Sequence, residues 1–109
     1  MEVTLAPVSS IPEGEGRTFS IGGARLAVFR GRAGQVFATQ ADCPHKGGPL
    51  ADGLLGGATL ICPLHAQKFD LSTGQALSGD CALKVYPARL NHAGQIMIEL
   101  GDDALAEQP

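Results

Sequence analysis

The stretch C-P-H-K-G-G-P-L runs from Cys43 to Leu50, and a shorter echo, C-P-L-H, runs from Cys62 to His65. Together they use two of the three cysteines and two of the three histidines in the chain. The spacing is C-x-H, sixteen intervening residues, then C-x-x-H. Two soft thiolates and two imidazoles in such a pattern suit either a tetrahedral zinc ion or an iron–sulfur cluster.

The residues around the first motif bear on that choice. The one-residue gap between Cys43 and His45 is tight for two ligands of one zinc ion, whereas the Cys and His of each loop can bind different irons of a binuclear cluster. Cluster sulfides also need backbone N–H donors, and Gly47 and Gly48 let bare backbone come close to them. The sequence therefore favours an iron–sulfur centre and leaves a zinc-stabilised binding module as an alternative.

The composition indicates one loop-rich globular domain spanning residues 1–109. Hydrophobic residues make up 44% of the chain and charged residues 17%, with 15 Gly and 7 Pro. A net charge of −3 gives no reason to expect a nucleic-acid partner. No segment approaches the roughly 20 apolar residues of a membrane span, and the acidic start M-E-V-T-L lacks the features of a signal peptide. We therefore expect a cytoplasmic protein without a membrane partner.

Short alternating runs predict strands, and frequent Gly and Pro argue against any helix of ordinary length. R-L-A-V-F-R (25–30) and Q-V-F-A-T (35–39) form a predicted hairpin around G-R-A-G, with Leu26 and Val28 on one face and Ala27 and Phe29 on the other. A-R-L (88–90) and Q-I-M-I-E-L (95–100) form a second, and A-T-L-I-C (58–62) is a strand leading into the second motif. The expected architecture is an antiparallel sheet base with a small loop-built subdomain at one end.

In its two Cys/His motifs and the residues around them, the sequence resembles the Rieske family. The resemblance rests on C-P-H-K-G-G-P-L, on C-P-L-H-A-Q-K-F-D-L-S-T-G and on L-K-V-Y-P-A-R-L, which together span most of residues 40–100. It implies an all-β fold, in which a Rieske-type antiparallel β-sandwich or barrel base carries a cluster-binding subdomain at about residues 41–76. It also implies one [2Fe–2S] cluster per chain.

The family pattern assigns the ligands residue by residue. Cys43 and Cys62 would bind one iron, and His45 and His65 would bind the other, so these four residues are both the metal ligands and the cofactor-binding site. Two neutral imidazoles in place of two thiolates leave the oxidised centre uncharged, and such centres have midpoint potentials between about −150 and +300 mV. No catalytic residue is expected, because the cluster transfers one electron and binds no substrate.

High-potential members of the family carry two further cysteines and hydroxyl donors near the cluster. Here Gly48 and Leu64 stand at the corresponding cysteine positions, and Ala66 and Gln67 replace the usual Gly-Ser. We therefore expect a potential at the low end, near about −150 mV.

Two groups within the family fit the motifs. Sequence reasoning places first the small subunit of an assimilatory NAD(P)H-dependent nitrite reductase, whose partner is a larger flavin- and sirohaem-containing subunit. The alternative is a Rieske-type ferredoxin that serves an aromatic-ring-hydroxylating dioxygenase and its reductase. A cluster-bearing redox sensor is a third hypothesis. In the first two cases the partner is a larger redox enzyme.

Several other residues have structural interpretations. We expect Tyr86 to pack in the sheet, Phe69 to plug the space under the second motif, and His92 to lie in a surface turn. The partnerless Cys81 is expected to be a small buried hydrophobic residue. Residues 70–74 should form a turn, and Lys46 and Lys68 make at most a weak patch for an acidic partner.

Overall fold

A computed structural model describes residues 2–21, 24–32, 34–42, 49–62, 68–77 and 83–99 of the chain. This part contains ten strands, which are β1 (Glu2–Pro7), β2 (Gly16–Ile21), β3 (Ala24–Arg30), β4 (Val36–Gln40), β5 (Leu54–Gly56), β6 (Thr59–Ile61), β7 (Lys68–Asp70), β8 (Val85–Tyr86), β9 (Ala88–Leu90) and β10 (Gln95–Glu99). The helices of the described part are two 3₁₀ helices of three residues each, Val8–Ser10 and Leu50–Asp52. None of these helices is long and apolar enough to cross a bilayer.

The strands form three antiparallel sheets with the orders β1-β10-β9, β2-β3-β4-β8 and β5-β6-β7. The expected all-β antiparallel class is thereby confirmed. The third sheet lies within residues 54–70, inside the range of about 41–76 that the sequence analysis gave to the subdomain. The bounds of that subdomain and of the domain at 1–109 stay predictions.

The first predicted hairpin is formed by β3 and β4. Leu26 pairs with Gln40 and Arg30 pairs with Val36, and the Gly31 N–H donates to the Gln35 carbonyl at 2.8 Å to close the turn. Gly34 in this turn has φ +89°, a conformation that glycine adopts without steric cost.

Both faces of β3 are buried. Leu26 and Val28 belong to the base core, a hydrophobic cluster that also contains Ile96, Ile98 and other residues of the first two sheets. Ala27 and Phe29 belong to a second cluster, the subdomain core. The predicted division of the strand into two faces is confirmed, and each face supports a different core. The β2-β3-β4-β8 sheet is therefore the middle layer of the molecule.

The second predicted hairpin is formed by β9 and β10, with Ile96 opposite Leu90. The Ile96 and Ile98 side chains are fully buried in the base core. Leu100, the last residue of the predicted strand, lies outside the described residues. Strand β1 closes the other side of β10, and the sheet β1-β10-β9 packs on the middle layer to form a sandwich.

The segment around β8 alternates between the two cores. Leu83 is buried in the subdomain core, and Tyr86 is buried in the base core with 6% of its surface exposed. The expectation that Tyr86 packs rather than faces solvent is confirmed. This segment and β3 both contribute side chains to both cores, so the base and the subdomain are joined through the middle sheet.

Candidate metal centre

Cys62 is the one of the four predicted ligands that lies in the described part of the chain. It follows β6 directly, and only 1% of its surface is exposed. It belongs to the subdomain core, which also contains Leu50, Leu60 and Phe69. Cys43, His45 and His65 lie outside the described residues, so the structure locates the ends of the segments that carry them.

The first Cys/His loop, residues 43–48, is closed at its base. Asp42 and Pro49 form an antiparallel bridge, and the Leu50 N–H donates to the Ala41 carbonyl at 3.0 Å. Opposed residues in such a bridge have Cα atoms about 5 Å apart. The loop that contains Cys43 and His45 therefore leaves and re-enters the fold at neighbouring points.

The second Cys/His loop, residues 63–67, is the connection between β6 and β7. Ile61 pairs with Lys68 and Leu60 pairs with Phe69, so the two strand ends are in register where the loop begins. Cys62 stands at the start of this hairpin connection and His65 lies within it. Both predicted donor pairs are thus carried on short connections between hydrogen-bonded backbone segments.

The bases of the two loops are held against each other. Leu50 follows the first loop and Cys62 begins the second, and both belong to the subdomain core. Between them the chain passes through Gly53, whose N–H donates to the Leu50 carbonyl at 2.9 Å. A Cβ atom added at Gly53 would lie 2.5 Å from the Ile61 carbonyl oxygen and 3.1 Å from the Leu50 carbonyl oxygen. Only glycine allows this close approach without displacement of the backbone.

Gln40 supports the base of the first loop, and no pattern in the sequence indicates this role. Its side-chain amide donates to the Asp42 carbonyl at 2.8 Å and accepts from the Lys84 N–H at 2.9 Å. The Gln40 N–H also donates to the Lys84 carbonyl at 3.0 Å. A glutamine at a strand end gives no sequence signal of this kind, because its partners at Asp42 and Lys84 become neighbours only after β4 and β8 pair.

An exposed ion pair also involves the residue before the first loop. The Arg25 guanidinium lies 3.0 Å from the Asp42 carboxylate. Because both side chains are about half exposed, this pair contributes little to the free energy of folding. Its structural role is to link the start of β3 to the base of the loop.

The segment after the second loop has the structure that the sequence predicted. Phe69 is fully buried in the subdomain core beside Cys62. The Gly74 N–H donates to the Asp70 carbonyl at 2.6 Å, and Gly74 has φ +82°, so residues 70–74 form a turn. The Ser72 hydroxyl and N–H both donate to the Asp70 carboxylate, at 2.5 and 2.9 Å. These hydrogen bonds, that of the hydroxyl first, lower the pKa of Asp70 below its ordinary value of 3.8.

The remaining predicted residues fall as follows. His92 lies exposed in the turn between β9 and β10, as expected, and Lys68 is exposed at the start of β7. Lys46 and Cys81 lie outside the described residues. Within the described ranges, no cluster of three or more His, Cys, Asp or Glu side chains suits a metal ion.

The donor chemistry fits an iron–sulfur cluster. A thiolate at a strand end, enclosed by aliphatic and aromatic side chains, is protected from water and is a soft ligand for iron. Leu50 and Cys62, at the bases of the two Cys/His loops, belong to the same core cluster. An all-β scaffold with two predicted donor loops is typical of a small electron-transfer protein.

The chain matches the Rieske [2Fe–2S] domain family over residues 1–87. It is 35% identical over 92 residues to the ferredoxin component of the naphthalene 1,2-dioxygenase system of Pseudomonas aeruginosa, covering 83% of this chain and 86% of that protein. The chain therefore belongs to the Rieske [2Fe–2S] family. Its cofactor is a [2Fe–2S] cluster, and its function is Rieske-type electron transfer.

Two solved structures show the same fold. A structure assigned as the small subunit of the NADH-dependent nitrite reductase of Mycobacterium tuberculosis superposes with a TM-score of 0.84 at 25% identity, covering 93% of this chain and 96% of that one. The ferredoxin of Sphingomonas yanoikuyae B1 superposes with a TM-score of 0.79 at 31% identity, covering 93% and 100%. The Rieske architecture expected from the sequence is confirmed.

Proposed function

We propose that this protein is a Rieske-type ferredoxin that carries single electrons from a reductase to the oxygenase of an aromatic-ring-hydroxylating dioxygenase system. The observation that carries the proposal is the 35% identity to a dioxygenase ferredoxin component over 86% of that protein's length. The identity to the Sphingomonas ferredoxin is of the same order, at 31%. These relatives reverse the order of preference given by the motifs alone, which put a nitrite reductase first.

Cys43, His45, Cys62 and His65 are the proposed ligands of the cluster. The burial of Cys62 at the end of β6 and the closed bases of both loops support this assignment. When bound, the cluster supplies a one-electron redox couple. The protein contributes the donors, excludes water from the Cys62 side chain and fixes the loop ends through the Gln40 and Gly53 contacts.

A nitrite reductase small subunit remains the second candidate function. It is favoured by the fold similarity to the Mycobacterium tuberculosis protein, at 25% identity over 96% of that chain. In this case the electron acceptor is a larger flavin- and sirohaem-containing subunit. Both candidates use the same cluster, so they differ only in the enzyme that docks on this chain.

Reconstitution distinguishes the two candidates. The cluster-loaded chain is mixed with NAD(P)H, a ferredoxin reductase, the oxygenase component of a naphthalene dioxygenase system and naphthalene. A parallel reaction contains NAD(P)H, nitrite and the large subunit of an NAD(P)H nitrite reductase. Naphthalene oxidation that depends on the chain is expected. Stimulation of nitrite consumption without any naphthalene oxidation would transfer the assignment to the second candidate.

Ligand replacement tests the metal centre, with a matched control in the same chain. We expect His65→Ala to lose iron, acid-labile sulfide and the visible spectrum, whereas His92→Ala should keep all three because His92 lies in an exposed turn. Retention of the complete spectrum after loss of His65 would contradict the proposed ligand set. Zinc in place of iron in freshly isolated protein would restore the zinc-module hypothesis.

A further inference from the structure

The outward face of the β5-β6-β7 sheet carries a row of four side chains, Leu54, Ile61, Lys68 and Leu77. Leu54 is opposite Ile61, and Ile61 is opposite Lys68. Phe69 bridges to Ala76, and the Leu77 N–H donates to the Lys68 carbonyl at 2.8 Å, so Leu77 continues the row. Directly opposed residues in antiparallel strands project from the same face. We call these four residues the outward row.

The opposite face of this sheet is buried. The neighbouring positions Leu55, Leu60 and Phe69 pair with one another and pack in or against the subdomain core. The strand alternation therefore turns the outward row toward solvent. Leu54 is 71% exposed and Leu77 is 55% exposed, and they are the exposed large hydrophobic residues of the described part of the chain. Both lie in this one row, at its two ends.

The outward row lies beside the second Cys/His loop. Residues 63–67 span the gap from Cys62 to Lys68, and Ile61 and Lys68 are the paired residues at the base of that loop. Adjacent strands are about 4.8 Å apart, so the row extends over roughly 14 Å across the sheet end nearest the cluster site. A protein seated on it would be adjacent to the segment that contains His65.

We propose that the outward row is part of the docking surface for the electron-accepting enzyme, which presents an apolar patch to Leu54, Ile61 and Leu77 and a carboxylate to Lys68. This inference rests on the proposed function and specifies where the acceptor binds. Exposed leucines contribute affinity through removal of apolar surface from water, and the lysine contributes orientation and association rate. Asp70, the acidic residue of β7, lies two residues after Lys68, and its carboxylate accepts hydrogen bonds from the Ser72 hydroxyl and N–H.

A transient redox partner fits this row better than a second copy of the chain. Interfaces of electron-transfer complexes are among the smallest specific ones, below about 1,200 Å² in total, whereas permanent dimers bury about 2,000 Å² or more. Four side chains can provide the centre of the small kind only.

The test uses the cluster-loaded chain and the oxygenase component of a naphthalene dioxygenase system as the acceptor, with the large subunit of a nitrite reductase as a second acceptor. Surface plasmon resonance gives the dissociation constant, and anaerobic stopped-flow gives the rate of cluster oxidation. The variants are L54Q/L77Q, the volume-conserving L54M/L77M, K68E, and R32E. Arg32 is exposed in the turn before β4, whereas the first Cys/His loop follows the other end of that strand. R32E makes the same change of charge as K68E.

We expect L54Q/L77Q to weaken binding at least about tenfold while L54M/L77M binds like the wild type. K68E should lower the association rate constant at low ionic strength and make that rate constant less sensitive to salt concentration. R32E should leave the rate constant and its salt dependence nearly unchanged. The visible spectrum and melting temperature should stay at wild-type values in all four variants.

Three outcomes would overturn the inference. Wild-type binding by L54Q/L77Q, with electron transfer to the acceptor intact, would remove the docking surface and leave the proposed function standing. Failure of the wild-type chain to bind or reduce either acceptor would remove the proposed function and the surface with it. Self-association that L54Q/L77Q abolishes would identify a second copy as the occupant.

Discussion

Replacement of Gly53 by alanine tests how the two Cys/His loops are held together. Gly53 has φ −73° and ψ 172°, which alanine adopts without strain, so any loss of stability comes from the contacts of the added methyl group and not from the backbone conformation. That carbon would lie 2.5 Å from the Ile61 carbonyl oxygen, 2.9 Å from Leu60 Cδ1 and 3.1 Å from the Leu50 carbonyl oxygen. Two of these three neighbours are backbone atoms, which cannot rotate away as a flexible side chain can.

The expected cost follows from this crowding. Insertion of a methyl group into a closely packed site destabilises a protein by about 1–3 kcal/mol. For a domain of this size each kcal/mol lowers the melting temperature by about 4–8 °C. Because relief requires Leu50 and Ile61 to move apart, the displacement also separates the two loop bases. We therefore expect a lower melting temperature and less iron and acid-labile sulfide per chain.

Gly56→Ala is the matched control. Gly56 lies at the end of β5, and an added Cβ there has no atom within 4 Å, so the same chemical change should leave stability and cluster content at or above wild-type values. Thermal melts of both variants, with iron and sulfide analysis of the same preparations, make the comparison. Equal melting temperatures and cluster contents for the two variants would refute the idea that Gly53 fixes the loop bases.

Three further predictions concern the core, a turn and the cluster. Phe69→Ala should reduce the free energy of unfolding by about 3–5 kcal/mol, since the ring is fully buried in the core that contains Cys62. Urea denaturation measures this loss, and an unchanged free energy of unfolding would contradict the role of the ring in the core. Ser72→Ala should raise the pKa of Asp70 toward 3.8, because the carboxylate loses its strongest hydrogen bond; NMR titration of the carboxyl carbon measures this. In the wild type the depressed pKa stabilises the fold above about pH 3.8, and this contribution is lost as the pH falls through the folded-state pKa, so an unchanged titration curve in the variant would contradict the assignment. Finally, a redox titration should give a midpoint potential of about −150 mV. A value well above zero would show that hydroxyl donors and a disulfide near the cluster are not the main determinants of the midpoint potential.

The sequence predicted the two hairpins of the base because their information is local. Strand β3 is a short apolar run, Leu26 to Phe29, bounded by Arg25 and Arg30, and its partner β4 follows after a short glycine-containing turn. The loop-bearing strand β6 was also predicted, since its apolar run ends directly at Cys62. In each case neighbouring residues along the chain determine the structure.

The sequence did not predict strands β1, β2, β5 and β7, and the first two illustrate two different reasons. Strand β1 pairs with β10, as Glu2 opposite Glu99 shows, and no pattern in the first residues indicates a partner so distant in sequence. Strand β2 is an edge strand in which Arg17, Thr18 and Ser20 are exposed, so its apolar content is too low to mark it. Edge strands are commonly polar because exposed apolar edges promote aggregation.

The candidate site was predicted in its chemistry but not in its support. The residue types and spacing of the two motifs specify soft metal ligands without reference to any fold. The Gln40 hydrogen bonds to the Asp42 carbonyl and the Lys84 N–H depend on strand pairing that the motifs do not encode. Residues that position a ligand loop from outside it are therefore found only in the folded protein.

The burial of both faces of β3 explains how so small a protein anchors the Cys62 end of its subdomain. Had the strand faced solvent on one side, the β5-β6-β7 sheet would have needed a core of its own, and its three-residue strands are too short to enclose one. Instead Ala27 and Phe29 supply apolar surface from a strand already fixed by the base core. Motion of the Cys62 end of the site therefore requires disruption of packing against the middle sheet. A centre that only gains and loses an electron benefits from such constraint, because its ligands need not rearrange between the two oxidation states.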